Sequence, residues 1–402
     1  MLFGPPENIE ERNHALDGLR GVGALVVVLW HLAVAFFPCS AWGVEEPTSA
    51  PWERMLYESP LWVILNGTFA VCLFFVLSGY VLTVGHFRSG DARPLIHRIV
   101  GRPLRLGVLA AVSTVAIWLG SLAAPSTGAE IVVPVLKATG ALDAIRPHLN
   151  LDPDLSLQTL FENIFWFPWF QPSKPRDLYN GVLWTMHVEL LGSFLVMTLA
   201  LVLSHAKTVW LAASTYLVCG AIMMIWLPGS GIYFAIFLCG SAIAAVDPPK
   251  WRTVGWKRNI PIVAAIFGLL LGACRSPALS IGTEPVGAVF SYGNVIVMGL
   301  GAVAFFLSVL VSDELSKLFS GRAFALLGRV SFSLYVCHAA VIFSVGTTLF
   351  LFMGPEISIE VRSITAAVAS LAVSVGLAIV LAVWIDAPSI RLARSFSRAV
   401  LK

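Results

Sequence analysis

Three polar residues lie within one long apolar segment near the start of the chain, residues 15–37. Arg20 follows Asp17 by three residues, and His31 follows Arg20 by eleven. At 3.6 residues per turn these separations put all three side chains along one stripe of a helix, with His31 about 16 Å beyond Arg20. A neutral imidazole can take a proton from a hydroxyl and return it later. Because polar groups inside a membrane are costly, we interpret this stripe as functional rather than as a satisfied core histidine.

A group of basic residues follows in LIHRIVGRPLRLG, residues 95–107. Arg98, Arg102 and Arg105 stand at i, i+4 and i+7, so they face the same side of a helix. Pro103 suits a first helical turn, and we predict that a span begins there. The guanidinium forks could hold a phosphate group. They could equally serve only to fix the orientation of the span.

The segment GVLWTMHVELLGSF, residues 181–194, places His187 and Glu189 at the start of another apolar run. A carboxylate at that depth is costly unless it is paired. Glu189 could therefore pair with an arginine, orient an imidazole, or only hold two helices in register. We expect His187 to be structural.

The segment LGRVSFSLYVCHAAVIF, residues 327–343, brings hydroxyls and an imidazole into a further run. These are Ser331, Ser333, Tyr335 and His338. Tyr335 and His338, three residues apart, share a helix face. The groups could line a substrate site or make the hydrogen bonds that commonly join membrane helices.

Two shorter segments are interpreted structurally. FFVLSGYVLT, residues 74–83, places Ser78 and Gly79 in mid-span, which predicts close helix packing. WIDAPSIRLAR, residues 384–394, combines an acid, a proline stop and basic residues, which indicates an exit from the membrane.

The elements that position these residues are membrane spans. The chain has 402 residues, 57% hydrophobic and 12% charged, and its mean hydropathy is +0.84. Soluble domains are about one quarter charged, so a soluble enzyme with a single anchor is excluded. The net charge of +3 gives no reason to expect nucleic acid. The six cysteines show no metal-ligand spacing, and neither a disulfide framework nor a metal site is predicted.

Apolar runs long enough to span recur about ten times, although the sixth and seventh are short or marginal. They cover residues 15–37, 61–85, 103–124, 182–204, 208–227, 231–247, 260–275, 286–311, 331–353 and 363–386. With the N-terminus inside, 19 of the 26 Lys and Arg residues fall on the cytoplasmic side. We therefore predict an all-α, polytopic integral membrane protein with about ten transmembrane helices and both termini cytoplasmic.

The same runs define the predicted domains. Residues 1–14 form a cytoplasmic segment, residues 15–386 the transmembrane domain, and residues 387–402 a basic cytoplasmic tail. A long outer loop, residues 125–181, carries an aromatic patch at residues 161–170 that is too short to span. Because Trp and Phe partition to the membrane interface, we expect the patch to anchor the loop rather than to bind substrate.

These segments resemble, in order along the chain, the motifs of the acyltransferase-3 family of polytopic membrane O-acyltransferases. The first-helix signature, an Arg followed after ten residues by a His, is met by Arg20 and His31. The third-helix RxxR pattern is met by Arg102 and Arg105. Four more segments are similar to further elements of the family, namely FFVLSGYVLT, LWTMHVELL, LGRVSFSLYVCHAAVI and WIDAPSIRLAR.

The chain departs from the family pattern at three positions. His187 stands where Ser is usual, Leu190 where a second Glu is common, and Asp386 where Glu is usual. Because of the departures at His187 and Leu190, the resemblance implies a role within the fourth-helix segment for Glu189 alone.

The resemblance implies an enzyme that moves an acyl group, acetyl before others, from acyl-CoA to a hydroxyl group. The acceptor would be a carbohydrate or another small or lipid-linked molecule, such as a secondary metabolite. Acyl-CoA would be a co-substrate, with no permanently bound cofactor, and the enzyme would lie in the plasma membrane. Its donor would bind the cytoplasmic arginines Arg20, Arg98, Arg102 and Arg105.

In the expected mechanism, the thioester enters a cavity between the first, third, fourth and ninth spans. His31 deprotonates the attacking hydroxyl or is itself transiently acylated. Glu189 would orient His31 or pair with Arg20, while Asp17 and Ser78 would have structural or orienting roles.

Tyr335, His338 and Ser333 would line the acceptor side of this site or donate to the oxyanion. The main rival hypothesis is a transporter or flippase for a polyprenyl-linked sugar or small metabolite. We see no internal repeat or paired broken helices of the kind that transporters carry. A purely structural membrane subunit would leave Arg20 and His31 unexplained.

Overall fold

The computed structural model describes residues 7–44, 50–123, 127–171, 177–204, 208–227, 229–246, 259–276 and 292–402. For residues 7–13, 123, 127–129 and 147 within these ranges, the structure describes the backbone and not the side chains. The regular elements of the described ranges are all helical.

The helices are named here in chain order. They are α1 (Glu7–Phe36), α2 (Pro38–Trp42), α3 (Trp52–Glu58), α4 (Gly67–Ser89), α5 (Arg93–Ala123), α6 (Thr127–Thr139), α7 (Leu142–Ile145), α8 (Leu157–Phe165), α9 (Phe167–Phe170), α10 (Met186–Leu203), α11 (Val209–Trp226), α12 (Gly231–Val246), α13 (Asn259–Gly272), α14 (Tyr292–Val311), α15 (Asp313–Phe319), α16 (Arg322–Val341), α17 (Thr347–Phe352), α18 (Ile359–Leu381) and α19 (Ala387–Val400). Short 3₁₀ segments lie at Pro60–Leu65, Arg146–His148 and Gly181–Thr185, and π-helical segments at Ile342–Gly346 and Ala382–Asp386.

Eight helical segments of the described chain are long and apolar enough to cross a membrane. They are His14–Phe36, Gly67–Ser89, Arg93–Leu122, Gly181–Leu203, Val209–Trp226, Tyr292–Val311, Arg322–Phe352 and Ile359–Val400. The two runs that the sequence marked as short or marginal form the shorter helices α12 and α13. With its 16 residues, α12 is about 24 Å long, less than a hydrocarbon core of about 30 Å. The prediction of an all-α polytopic membrane protein is confirmed, and the cytoplasmic position of the termini stays a prediction.

Two helices pass through prolines that were expected to bound them. α5 carries Pro103 in its interior, so the predicted start of the third span is ten residues late. Pro388 lies in the first turn of α19, directly after the π-helical segment that ends α18. The helix runs on from α18 through this π-helical segment into α19, and the π-helical segment interrupts the regular hydrogen-bond ladder at the place where the proline lacks an N–H. The expected basic tail is therefore largely a helix, and it packs along α5.

The predicted outer loop is more helical in its described residues, 127–171 and 177–181, than the sequence indicated. α6 belongs to the core: Leu136 is buried, and the Thr139 hydroxyl donates to the Ala35 carbonyl of α1 at 3.1 Å. Its 13 residues were too few to be recognised as a span. α8 and α9 instead present an exposed aromatic surface made of Phe161, Phe165, Trp166 and Phe170. This surface supports interfacial anchoring.

The helix crossing that matters most for the site joins α1 and α16. A Cβ on Gly21 would lie 2.5 Å from the Gly328 nitrogen, so only glycine lets the two backbones approach this closely. His31 follows Gly21 by ten residues, and His338 follows Gly328 by ten. Ten helical residues rise about 15 Å. Since both helices run the same way from the crossing, the two histidines arrive at the same level.

Candidate active site

His31 of α1 and His338 of α16 contact each other directly. The distance from His31 Nδ1 to His338 Nε2 is 3.1 Å, and the ring centroids are 4.8 Å apart. His338 is fully buried, whereas His31 is partly exposed and lines a cavity. The sequence placed both residues in the site but did not predict that they touch.

The neighbouring carbonyl groups define the proton positions on both rings. His31 Nδ1 lies 2.9 Å from the Val27 carbonyl oxygen, which can only accept, so Nδ1 carries the proton. His338 Nδ1 lies 3.1 Å from the Leu334 carbonyl oxygen and is protonated for the same reason. His338 Nε2 then accepts from His31 Nδ1. His31 Nε2 keeps its lone pair and forms no hydrogen bond with the described residues, so the pair presents one basic nitrogen.

A cavity of about 1280 Å³ lies beside His31. Its walls come from α1, α5, α16 and the segments between α5 and α10, and they include Trp30, Trp42, Trp184 and Phe343. Of the predicted site residues, His31 and Tyr335 line this cavity. His338, Ser333, Glu189 and the four predicted donor arginines are not among its lining residues. The lining of this cavity therefore does not reach the arginines.

Tyr335 is held firmly in the wall. Its hydroxyl lies 2.9 Å from the Val182 carbonyl oxygen and 2.8 Å from the Thr185 hydroxyl. Since the Tyr335 proton goes to the carbonyl, this arrangement favours a positioning role over oxyanion donation. Ser333 is buried, and its hydroxyl makes no hydrogen bond within the described part of the chain.

Glu189 of α10 contacts Arg102 of α5, so of the alternatives that the sequence left open the structure shows pairing with an arginine, and that arginine is Arg102 rather than Arg20. The two side chains form a salt bridge, and each is 15% exposed. Arg102 also donates to the Ser193 hydroxyl at 2.9 Å, and the Ser78 hydroxyl donates to Glu189 at 3.0 Å. A buried carboxylate requires a cation or several donors, and this pocket supplies both. The group that contacts the ring of His31 is His338.

The other two arginines of α5 also have partners within the protein. Arg98 donates to the carbonyl oxygens of Val81 and Leu82 on α4, at 3.2 and 3.0 Å. Arg105 forms a salt bridge with Asp386, at the junction of α18 and α19. The three residues share one helix, as predicted, but each binds a different element.

Arg20, the predicted donor-binding arginine on α1, is partly exposed. It forms a salt bridge of 3.3 Å with Asp17, and the two side chains are 33% and 49% exposed. Arg20 and Arg105 both lie close enough to Arg102 to interact with it electrostatically. The arginines thus gather at one end of the molecule, three helical turns of α1 from His31.

Several cavity residues escaped the sequence analysis because they lie in irregular segments without periodicity. Asn180 donates from Nδ2 to the Val336 carbonyl oxygen at 2.8 Å and to the Ser113 hydroxyl at 3.2 Å. His148 lines the cavity and stacks near Trp42, and burial lowers the pKa of its imidazole. Nothing in the composition of their segments marked them.

His187 Nδ1 lies 3.0 Å from the Trp169 carbonyl oxygen of α9, and its structural role stays a prediction. The structure shows no group of three or more His, Cys, Asp or Glu residues that could hold a metal ion within the ranges it describes.

An imidazole with one available lone pair, on the wall of a cavity between membrane helices, is typical of a membrane-embedded enzyme that activates a hydroxyl group. The acyltransferase-3 family model, described as an acyltransferase domain, matches residues 13–383. The chain belongs to this family, as its motifs indicated, and it is an acyltransferase of the membrane.

Among characterised proteins, the chain is similar to the O-acetyltransferase PaAT-1 of Phomopsis amygdali. The two are 26% identical over 379 residues, which cover 83% of this chain and 73% of the relative. No solved structure gives a significant match.

Proposed function

We propose that the protein is an O-acyltransferase that moves an acyl group, acetyl before others, from acyl-CoA to a hydroxyl group of an acceptor in the cavity. The observation that carries the proposal is the lone pair of His31 Nε2 at the cavity wall. Membership of the acyltransferase-3 family and the similarity to an O-acetyltransferase support the reaction type.

In the proposed reaction, His31 acts as general base and then as general acid. Nε2 takes the proton of the acceptor hydroxyl while the oxygen attacks the thioester carbonyl carbon. The tetrahedral intermediate collapses, the C–S bond breaks, and the CoA sulfur leaves with the proton from Nε2. The products are the ester and free CoA, and His31 returns to its starting state.

His338 is the positioning residue of this mechanism. Its Nε2 accepts from His31 Nδ1, and its own Nδ1 is fixed by the Leu334 carbonyl. The contact holds the tautomer in which His31 Nε2 is basic and stabilises the imidazolium that forms. A carboxylate has this function in Ser-His-Asp triads, and a neutral imidazole has it here.

The nucleotide part of the donor would bind at the arginine end of the protein. Arg20 is partly exposed there, and phosphate is a stronger partner for it than the single Asp17 carboxylate. Arg102 and Arg105 would add positive potential while holding α5 to its neighbours. The separation along α1, about 16 Å, is within reach of the extended pantetheine arm of CoA.

The experiment that tests the proposal measures radiolabel transfer from acetyl-CoA by the full chain, purified in a detergent without hydroxyl groups. A lipid and metabolite extract of the native cells supplies the acceptor. We expect an acetylated product and an equal amount of free CoA. Intact acetyl-CoA after incubation with folded protein and extract would contradict the proposal.

A further inference from the structure

We infer that the acceptor is an uncharged, largely apolar alcohol that reaches His31 from the bilayer. The inference rests on the proposed function for the reaction and on the cavity wall for the class of molecule. It narrows the acceptor from any hydroxylated compound to one that dissolves in lipid.

The charge of the wall is the first observation. Among the described residues that line the cavity, Asp152 is the one carboxylate, it is exposed at the rim, and no Lys or Arg is present. A phosphate or diphosphate group would lose its hydration there without gaining a cation. The wall therefore disfavours phosphorylated sugars and diphosphate-linked lipids as acceptors.

The hydroxyls of the wall are the second observation, because four of them are already bonded to backbone carbonyls. The hydroxyls of Tyr179, Ser113 and Ser344 donate to the backbone carbonyls of Asp154, Ala110 and Ala340. The hydroxyl of Tyr335 is likewise held by a carbonyl. A carbohydrate has a hydroxyl on nearly every carbon, and each needs a partner to replace water.

Asn180 Oδ1 is an oxygen of the wall that remains available. Asn180 Oδ1 is buried and accepts no hydrogen bond from the described residues, since both contacts of that side chain use Nδ2. The remaining wall is mostly aliphatic and aromatic. This composition fits an acceptor with one reacting hydroxyl and at most a few other polar groups.

The opening of the cavity is the third observation. Lining residues that are also exposed include Ala116 and Gly120 on α5, Ser344 and Thr348 around the start of α17, and Leu377 on α18. These five residues belong to segments long and apolar enough to span the membrane, whereas Asp152 and Gly229, which also line the cavity and are exposed, lie outside those segments. The opening between these helices therefore faces lipid, and a membrane-dissolved alcohol can enter there.

Gly120 offers a way to close this opening. A Cβ at Gly120 meets no atom within 4 Å, so Gly120→Trp can occupy the cavity mouth without a backbone clash. Gly107 lies on the same helix, also has nothing within 4 Å, and does not line the cavity. Gly107→Trp is therefore the matched control.

The test uses photolabelling in phosphatidylcholine nanodiscs with a diazirine-bearing dodecanol and the matching dodecyl phosphate. We expect the alcohol to label peptides with residues 109–121 and 336–348 in the full chain and in His31→Ala. Gly120→Trp should reduce that labelling about tenfold, whereas Gly107→Trp should leave it unchanged. The phosphate should not label these peptides.

Failure of the inference and failure of the proposed function give different results. Three results would overturn the inference while acetyl transfer continues. The phosphate labels the cavity peptides as strongly as the alcohol does, an excess of methyl glucoside prevents labelling by the alcohol, or the cavity peptides carry no label. Specific labelling by the alcohol without any acetyl transfer would show that the cavity binds an apolar alcohol from the bilayer, but it would overturn the proposed function and with it the role of that alcohol as acceptor.

Discussion

His31 Nδ1 lies 3.1 Å from His338 Nε2, and each histidine stands ten residues beyond the glycine at which its helix crosses the other. The proposed base is thus created by the packing of α1 on α16. Gly21 and Gly328 set the separation of the helices, and the helical rise carries that register to the histidines. The crossing of α1 and α16 therefore determines the geometry of the proposed base and also contributes to the stability of the fold.

Loss of the His338 contact should lower turnover without weakening donor binding. His338→Leu removes one of the two acceptors for His31 Nδ1 and leaves the Val27 carbonyl. Because the ring loses its partner side chain, we expect kcat for acetyl transfer to fall about 10²-fold or more, with KM for acetyl-CoA unchanged. His338→Gln offers an amide oxygen and should recover part of that loss. Equal activity in the Leu and Gln variants would contradict the positioning role.

Substitution at the crossing should separate the two histidines. Gly21→Ala places a Cβ 2.5 Å from the Gly328 nitrogen, and the required shift should destabilise the protein by about 1–3 kcal/mol. Acetyl transfer should fall together with Tm. Gly85→Ala is the control, because a Cβ there meets nothing within 4 Å. An active and fully stable Gly21→Ala protein would show that the crossing does not position the base.

Loss of the Arg102–Glu189 pair should lower the stability of the protein. Glu189→Gln leaves a largely buried guanidinium without its partner ion, and we expect a loss of about 3–5 kcal/mol, measured as a lower Tm in detergent. Exchanging the two residues should restore part of it. Glu58→Gln breaks an exposed pair with Arg54 and should cost no more than about 1 kcal/mol. A Tm unchanged by Glu189→Gln would refute a structural role for the pair.

Substitution of Arg20 should weaken donor binding more than it lowers the stability of the fold. Its guanidinium is one third exposed, so Arg20→Ala should leave Tm nearly unchanged. We expect KM for acetyl-CoA to rise about tenfold, the effect of losing one charge-assisted phosphate contact, while kcat changes little. Dephospho-CoA thioesters should show a smaller difference between wild type and variant. An unaltered KM would place the nucleotide elsewhere.

The sequence predicted what depends on local pattern. Helical periodicity put Asp17, Arg20 and His31 on one helix, and the apolar runs indicated a polytopic all-α protein. The ordered motifs indicated the family that the comparison confirmed.

The sequence could not predict which distant side chains meet. Glu189 was equally able to contact an arginine or an imidazole until the packing of α10 on α5 placed it beside Arg102. The cavity residues Asn180 and His148 lie in irregular segments that carry no periodic signal. Pro103 was misassigned because a proline in a helix interior and one in a first turn look alike in sequence.

The central claim is that His31 is the base of an acyl transfer. The most direct measurement compares wild type and His31→Ala for acetyl transfer from acetyl-CoA to the native-cell extract, with Tm recorded for both. We predict that His31→Ala keeps its Tm and loses at least about 10²-fold in turnover, with the wild-type rate depending on the acceptor. Wild-type turnover in a folded His31→Ala protein would contradict the account.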